Sequence, residues 1–303
     1  MKKSIDSLGN KRTQTNFYNG TGGNIYIYWK QYIFHDKKEE FLKKFHQSLI
    51  TNLLIVVKGQ DNEKLTNCFF MGDSGIYLFY CVYANEIDDK KTFDENLNNL
   101  INLKYISERE TSEVELLYGT IGYLYSLLFL KKYLLSQNKN NIIDKIDMDN
   151  LNNTIIEIFH ILLNSGIKSM DKFGWKKSLL FPIPINSRKI PKLYLGAAHG
   201  LIGALYMLLS TIKFFPELLK EDSNVSGKKI LTKDILLKSI KYVQSLQIKS
   251  TGNFPDDIEG KDSGDEVHFC HGCIGAIYLF LLAEELYPNN GFKETALLCN
   301  NCL

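Results

Sequence analysis

Gly272-Cys-Ile-Gly-Ala-Ile-Tyr-Leu-Phe-Leu-Leu-Ala-Glu-Glu285 joins a Gly-x-x-Gly turn to a run that is apolar on nearly every side for two helical turns. A helix with no polar face has to be buried all round. The same turn leading into an apolar run recurs at Gly20-Thr-Gly-Gly23, Gly72-Asp-Ser-Gly75, Gly119-Thr-Ile-Gly122 and Gly200-Leu-Ile-Gly203. After Gly122, for instance, comes Tyr123-Leu-Tyr-Ser-Leu-Leu-Phe-Leu-Lys-Lys132. Repetition of one unit predicts a fold that stacks similar hairpins. Glycine in each turn permits positive φ and a close approach of backbones where buried helices converge.

The segments between these runs have a different pattern. Phe41-Leu-Lys-Lys-Phe-His-Gln-Ser-Leu-Ile50 and Asp234-Ile-Leu-Leu-Lys-Ser-Ile-Lys-Tyr-Val243 are amphipathic. Buried helices alternating with amphipathic ones predict an inner ring sheathed by an outer ring. No strand-type alternation is long enough to build a sheet, so the expected class is all-α, over one domain spanning residues 1–303. The repeat glycines at 20, 72, 119, 200 and 272 are separated by 52, 47, 81 and 72 residues. One helical hairpin takes roughly 40–50 residues, so the two long steps need insertions. Residues 165–192, with Pro182, Pro184 and Pro191, are expected to be one long irregular region, and 253–265, with Pro255 and five carboxylates, another. Residues 85–96, 137–150 and 221–233 read as charged or Asn-rich connectors.

A net charge of +2 gives no electrostatic case for nucleic acid as a partner. The pairs Lys131-Lys132 and Lys176-Lys177 read as solvated helix ends. The basic start Met1-Lys-Lys3 is not followed by an apolar stretch of the kind a secretion signal needs. Six cysteines in 303 residues are too few for a disulfide framework, which points to a cytoplasmic setting. Residues 193–212 lack Asp, Glu, Lys and Arg and match the length of a membrane span. They also contain Gly196, His199, Gly200 and Gly203, and so predict a buried helix reached through a glycine loop. No transmembrane segment is expected, and peripheral membrane association is left open.

Two turns carry residues with chemistry: Ala198-His199-Gly200 and Cys270-His271-Gly272. A thiolate is a soft ligand suited to Zn²⁺, and neutral imidazole binds metals or shuttles protons near neutral pH. A lone buried cysteine is more often a small apolar residue, however, and a lone histidine in a turn more often a hydrogen-bonder. Cys68 and Cys81 read as core. Cys270-x-x-Cys273 with Cys299-x-x-Cys302 offers a second zinc reading, although its gap of 25 residues exceeds the roughly 15–20 usual for paired motifs of this kind.

Several of these stretches, taken in order, resemble the LanC-like (lanthionine synthetase C-like) family, its eukaryotic branch in particular. Tyr194-Leu-Gly-Ala-Ala-His-Gly-Leu-Ile-Gly203 is similar to the family's Ala-His-Gly motif. Gly252-Asn-Phe-Pro255 followed by Val267-His-Phe-Cys-His-Gly272 is similar to its Gly-Asn-Tyr-Pro stretch and first zinc-cysteine motif. Met71-Gly-Asp-Ser-Gly75 and Leu116-Leu-Tyr-Gly-Thr-Ile-Gly-Tyr-Leu124 match two further family turns. The resemblance implies an α/α toroid of helical hairpins. It also implies zinc-dependent addition of a thiol, glutathione in the eukaryotic branch, to dehydroalanine or dehydrobutyrine residues of a protein or peptide. On the same ground His199 is the catalytic acid/base, Cys270 is a zinc ligand and His271 has a supporting part. The family's later Cys-His ligand pair has no counterpart before Leu303, so the expectation is a C-terminally truncated toroid that lacks its last hairpins and has an incomplete Zn²⁺ site. The alternative reading is a catalytically inactive helical scaffold that binds partners.

Overall fold

The computed structural model describes residues 16–18, 20–59, 67–108, 113–137, 142–183, 191–225, 227–260 and 264–302, the side chains of 53–59 excepted. Helices α1 (Gly22–Phe34), α2 (Glu39–Gly59), α3 (Ser74–Glu86), α4 (Lys90–Asn102), α5 (Lys104–Ser107) and α6 (Thr120–Ser136) make up the first half. Helices α7 (Lys145–Lys172), α8 (Leu201–Phe214), α9 (Thr232–Ser245), α10 (Cys273–Leu286) and α11 (Phe292–Leu298) make up the second. Each helix that follows a Gly-x-x-Gly turn touches the next such helix: α1 on α3, α3 on α6, α6 on α8, and α8 on α10. Each also packs on the amphipathic helix that follows it, α2, α4, α7, α9 and α11 respectively. The result is two concentric layers of helical hairpins, the α/α toroid architecture.

Burial follows the sequence pattern in α3 and α4, whereas α10 is not buried all round as its apolar run suggests: Tyr278 and Leu281 are about half exposed. In α3 every residue from Ser74 to Ala84 is buried. In α4 only Phe93, Asn96, Leu97 and Leu100 are, a single stripe at helical spacing. At the ends of the inner helices away from the glycine turns, Glu86 accepts from Tyr133 Oη (2.7 Å), Tyr32 Oη (3.1 Å) and Lys37 Nζ (2.7 Å). Burial first, and then the Glu86 carboxylate, pushes both phenols well above their ordinary pKa.

Outer helices α4 and α7 begin differently from the inner ones, while outer α9 and α11, like the inner helices, lack a cap from the side chain of their N-cap residue. Outer α4 and α7 start at aspartate caps: Asp89 accepts from Thr92 N–H and Asp144 from Asp147 N–H. Inner α6 and α8 start at Gly119 and Gly200 with no side-chain cap, and α10 at Gly272, where Asn253 Oδ1 from the preceding loop accepts from Cys273 N–H (2.7 Å). Their exposed N–H groups need partners. The crossing loop supplies them: Thr120 N–H donates to Glu113 O (2.9 Å), Leu201 N–H to Tyr194 O (3.1 Å) and Ile202 N–H to Leu195 O (2.9 Å). The second glycine of each turn makes room for that loop. A Cβ on Gly122 would lie 2.3 Å from Leu116 O, one on Gly203 2.0 Å from Ala197 O, and one on Gly275 2.5 Å from Phe269 O. The close approach expected between converging helices is therefore chiefly between each helix and its own preceding loop.

Three further expectations need correction. The 221–233 connector contains an antiparallel hairpin, β1 (Asp222–Val225) on β2 (Lys228–Leu231), whose four-residue strands are too short to show alternation in the sequence. The region from 165 stays helical to Lys172, because Gly166 is a packing glycine: a Cβ there would sit 2.8 Å from the Phe181 ring. Pro184, part of the same irregular stretch, falls outside the described residues. Lys131 is buried rather than solvated: its ammonium donates to Asn152 Oδ1 (2.6 Å) and lies over the rings of Phe215 (4.9 Å) and Phe214 (5.7 Å). Burial lowers its pKa. Cys68 and Cys81 are core residues, as expected. Among the described residues no helix is long and apolar enough to cross a membrane.

Phe79 on α3 is fully buried against the rings of Phe17 (5.5 Å), Trp29 (5.5 Å) and Phe129 (5.7 Å). Truncating a core aromatic costs about 3–5 kcal/mol. Phe79→Ala is therefore expected to lower the unfolding free energy by that much in a urea titration followed by circular dichroism, whereas Tyr18→Ala, at an exposed position, leaves it within about 0.5 kcal/mol.

Candidate functional site

The loops that cap inner helices α6, α8 and α10 meet at one end of the ring. Leu116 N–H donates to Ala198 O (3.0 Å), which joins the loop before α6 to the loop before α8. Leu195 N–H donates to Asp256 O (2.8 Å) and Ile258 N–H to Leu193 O (2.9 Å), which joins the loop before α8 to the insertion ahead of α10. Gly196 lies against Cys270 so closely that a Cβ on it would fall 1.8 Å from the Cys270 carbonyl oxygen. The two turns singled out in the sequence thus touch backbone to backbone, and His199 and His271 have ring centroids 5.8 Å apart.

His199 faces an acidic partner that the sequence did not single out. Its Nδ1 contacts Oε2 of Glu115, whose side chain is 3% exposed, while the imidazole is 25% exposed. Glu115 Oε1 accepts from Tyr118 N–H (2.7 Å), which fixes the carboxyl group. An ionised carboxylate only accepts, so Nδ1 carries the proton and Nε2 remains available for proton transfer. Partial burial, followed by the neighbouring Glu115, raises the Glu113 carboxyl above its ordinary value. Tyr194 packs against both imidazoles, 5.8 Å from His199 and 5.4 Å from His271, with the Lys192 ammonium 4.5 Å from its ring. A buried carboxylate holding a half-buried imidazole is suited to general acid–base work.

Between the inner helices lies an apolar cavity of about 230 Å³, lined among others by Leu116, Tyr125, Tyr206, Phe269 and Tyr278. Its lining includes the chain neighbours of Glu115 and Cys270, Leu116 and Phe269, but neither of those two residues nor His199. Cys270 is half-buried. Cys273 is buried at the start of α10, and Cys299 and Cys302 lie in the last helical turn. Burial pushes the Cys299 thiol up to about 11 and the Cys302 thiol up to about 12. Among the described residues the one group of metal-type donors gathered within 4.8 Å is Asp256, Glu266 and His271, so the four cysteines of the second zinc reading do not form such a group.

The model of the family described as lanthionine synthetase C-like protein matches residues 12–301. The chain belongs to that family. It is 27% identical over 237 residues to the zebrafish (Danio rerio) protein named glutathione S-transferase LANCL1, an alignment that covers 78% of this chain and 51% of the relative. The chain thus spans about half the length of this curated relative. Its fold is that of nisin cyclase, at a TM-score of 0.62 and 17% identity over 98% of this chain and 71% of the other.

The contact of Gly196 with the Cys270 carbonyl leaves no room for a methyl group. Gly196→Ala is expected to cost about 1–3 kcal/mol through overpacking. Gly174→Ala, next to open space but at φ 62, should cost about 1 kcal/mol from backbone strain alone. Thermal melts of the two variants separate the effects.

Proposed function

We propose that the chain, acting as a single domain, catalyses addition of a thiol, glutathione or a related one, to dehydroalanine or dehydrobutyrine residues of a protein or peptide. The observation that carries this reading is the buried Glu115 carboxylate on Nδ1 of His199, whose loop also contributes Ala197 to the lining of an apolar cavity. Family membership and the glutathione S-transferase name of the zebrafish relative support it.

In this reaction a C–S bond forms at the β-carbon, the alkene π pair moves towards the carbonyl, and the α-carbon then takes a proton. The proton lost by the thiol balances the one gained at the α-carbon. A free thiol has a pKa of about 8.5 and is mostly protonated at neutral pH, so a base is needed first and an acid afterwards. His199 serves both: Nε2 takes the proton from the thiol and delivers it to the α-carbon. Glu115 stabilises the imidazolium in between. The apolar cavity takes the hydrocarbon part of the substrate and keeps water from the enolate.

Zinc, where bound in this family's manner, supplies a deprotonated sulfur. Cys270 offers one soft donor for it. A catalytic zinc takes about three protein ligands, and among the described residues no Cys270-centred group of three donors gathers. The described residues do not make that site by themselves, and no step above passes through the metal.

With glutathione and a dehydroalanine peptide, His199→Ala is expected to lower kcat for thioether formation, read by mass spectrometry, by about 10²–10⁴-fold, and Glu115→Gln by at least about tenfold. Unchanged rates in both variants would remove the pair from the mechanism. A wild-type protein that is folded yet forms no thioether favours the partner-binding scaffold. Metal ligation by Cys270 predicts a sulfur-to-cobalt charge-transfer band in the Co²⁺-loaded protein that Cys270→Ala abolishes; a band that persists in the variant excludes Cys270 as ligand.

A further inference from the structure

Ahead of α10, Asp256 of the insertion and Glu266 and His271 of the loop that follows it bring three donors together. One ligand atom each from Asp256, Glu266 and His271 lies within 4.8 Å of the others, and His271 Nδ1 is 3.8 Å from Asp256 Oδ1. That Nδ1 is buried and has no hydrogen-bond partner among the described residues, a costly state for a ring nitrogen. Donors about 2.0–2.2 Å from a shared cation sit roughly 3–3.5 Å apart, so side-chain shifts of about an ångström bring these three onto one ion.

The loops that carry the donors are held from outside the cluster. Asn253 Nδ2 donates to Glu266 O (2.9 Å), while Asn253 Oδ1 accepts from Cys273 N–H (2.7 Å), which ties the Glu266 loop to the start of α10. Gly272, at φ 97, lets that loop pass: a Cβ there would lie 2.2 Å from Glu266 O. Asp256 O is fixed by Leu195 N–H, and the His271 ring packs on Tyr194. Glu266 is exposed, so water can complete the coordination, and its other neighbour is His268, with Nδ1 3.4 Å from Oε2.

We infer that Asp256, Glu266 and His271 form a site for a divalent transition-metal cation, separate from any thiolate site at Cys270. Two carboxylates neutralise the cation, and the imidazole favours Mn²⁺, Co²⁺ or Zn²⁺ over the all-oxygen preference of Mg²⁺ and Ca²⁺. The inference stands apart from the thiol-addition reading, since neither His199 nor Cys270 is a ligand.

Equilibrium dialysis of the whole chain against Mn²⁺ and Co²⁺ tests it, with Cys270→Ala as the background that removes the neighbouring thiol. Saturable binding is expected to persist in Cys270→Ala without a sulfur-to-cobalt band, and Mg²⁺ to bind at least about tenfold more weakly than Mn²⁺. Asp256→Asn, an isosteric change, and Glu266→Gln, at an exposed position, should each raise Kd at least about tenfold while the circular dichroism spectrum stays unchanged. Loss of all binding in Cys270→Ala, or an unchanged Kd in both Asp256→Asn and Glu266→Gln, overturns the site. A missing thioether activity leaves this outcome unaffected, so the two readings fail separately.

Discussion

The architecture depends on the passage of a loop across the first turn of inner helices α6, α8 and α10, closer than a methyl group would allow. At Gly122 and Gly203 the loop carbonyl occupies the volume that a Cβ would fill, about an ångström inside ordinary contact. The same crossing loops supply carbonyls to the free N–H groups of α6 and α8. One constraint thus does two jobs: it caps a helix that has no side-chain cap, and it sets the height at which the loop sits over the ring. Outer helices α4 and α7, with no loop to accommodate, use aspartate caps instead.

Because loop carbonyls do the capping, the side chains of the glycine turns are released from it. His199 precedes the first residue of α8 by two positions, yet its ring turns to Glu115 of a neighbouring repeat rather than to its own helix. Stacking then brings the turns of α6, α8 and α10 edge to edge, joined by Leu116–Ala198 and by the contact of Gly196 with Cys270. Residues 84 positions apart in the chain become hydrogen-bond partners without any long excursion of backbone. The site is a product of repeat geometry, and the chemistry differs between turns because their side chains do.

The two-layer helical fold was legible in the chain because its signal is periodic: all-round apolar runs after glycine turns, and striped runs between them. The adjacency of the His199 and Cys270 turns was legible for the same reason, since equivalent positions of neighbouring repeats must stack. Glu115 was not. It stands one residue before the quoted stretch that starts at Leu116, and an acid ahead of a helix start reads equally well as a favourable charge near the N-terminus. Only the stacking of repeats turns it towards His199. Asp256 was similarly hidden among the five carboxylates of its insertion, which share a composition and differ only in where the backbone aims them. Lys131 was misread because its partners, Phe214 and Phe215, lie at the end of another helix.

The charge of Glu115 has a consequence beyond geometry. Its Oε1 serves the local turn through Tyr118 N–H, a role that an amide oxygen would fill at no electrostatic cost. An ionised group whose side chain is 3% exposed pays a desolvation penalty that a glutamine would avoid. That penalty is offset only if the negative charge meets a positive one, and His199 is the partner within contact. The offset grows when the imidazole takes up a proton, since the attraction between two opposite charges is then added to a hydrogen bond that only the carboxylate had strengthened before. A buried glutamate in this position is therefore poorly suited to holding a neutral ring in place and well suited to a histidine that cycles through its charged form.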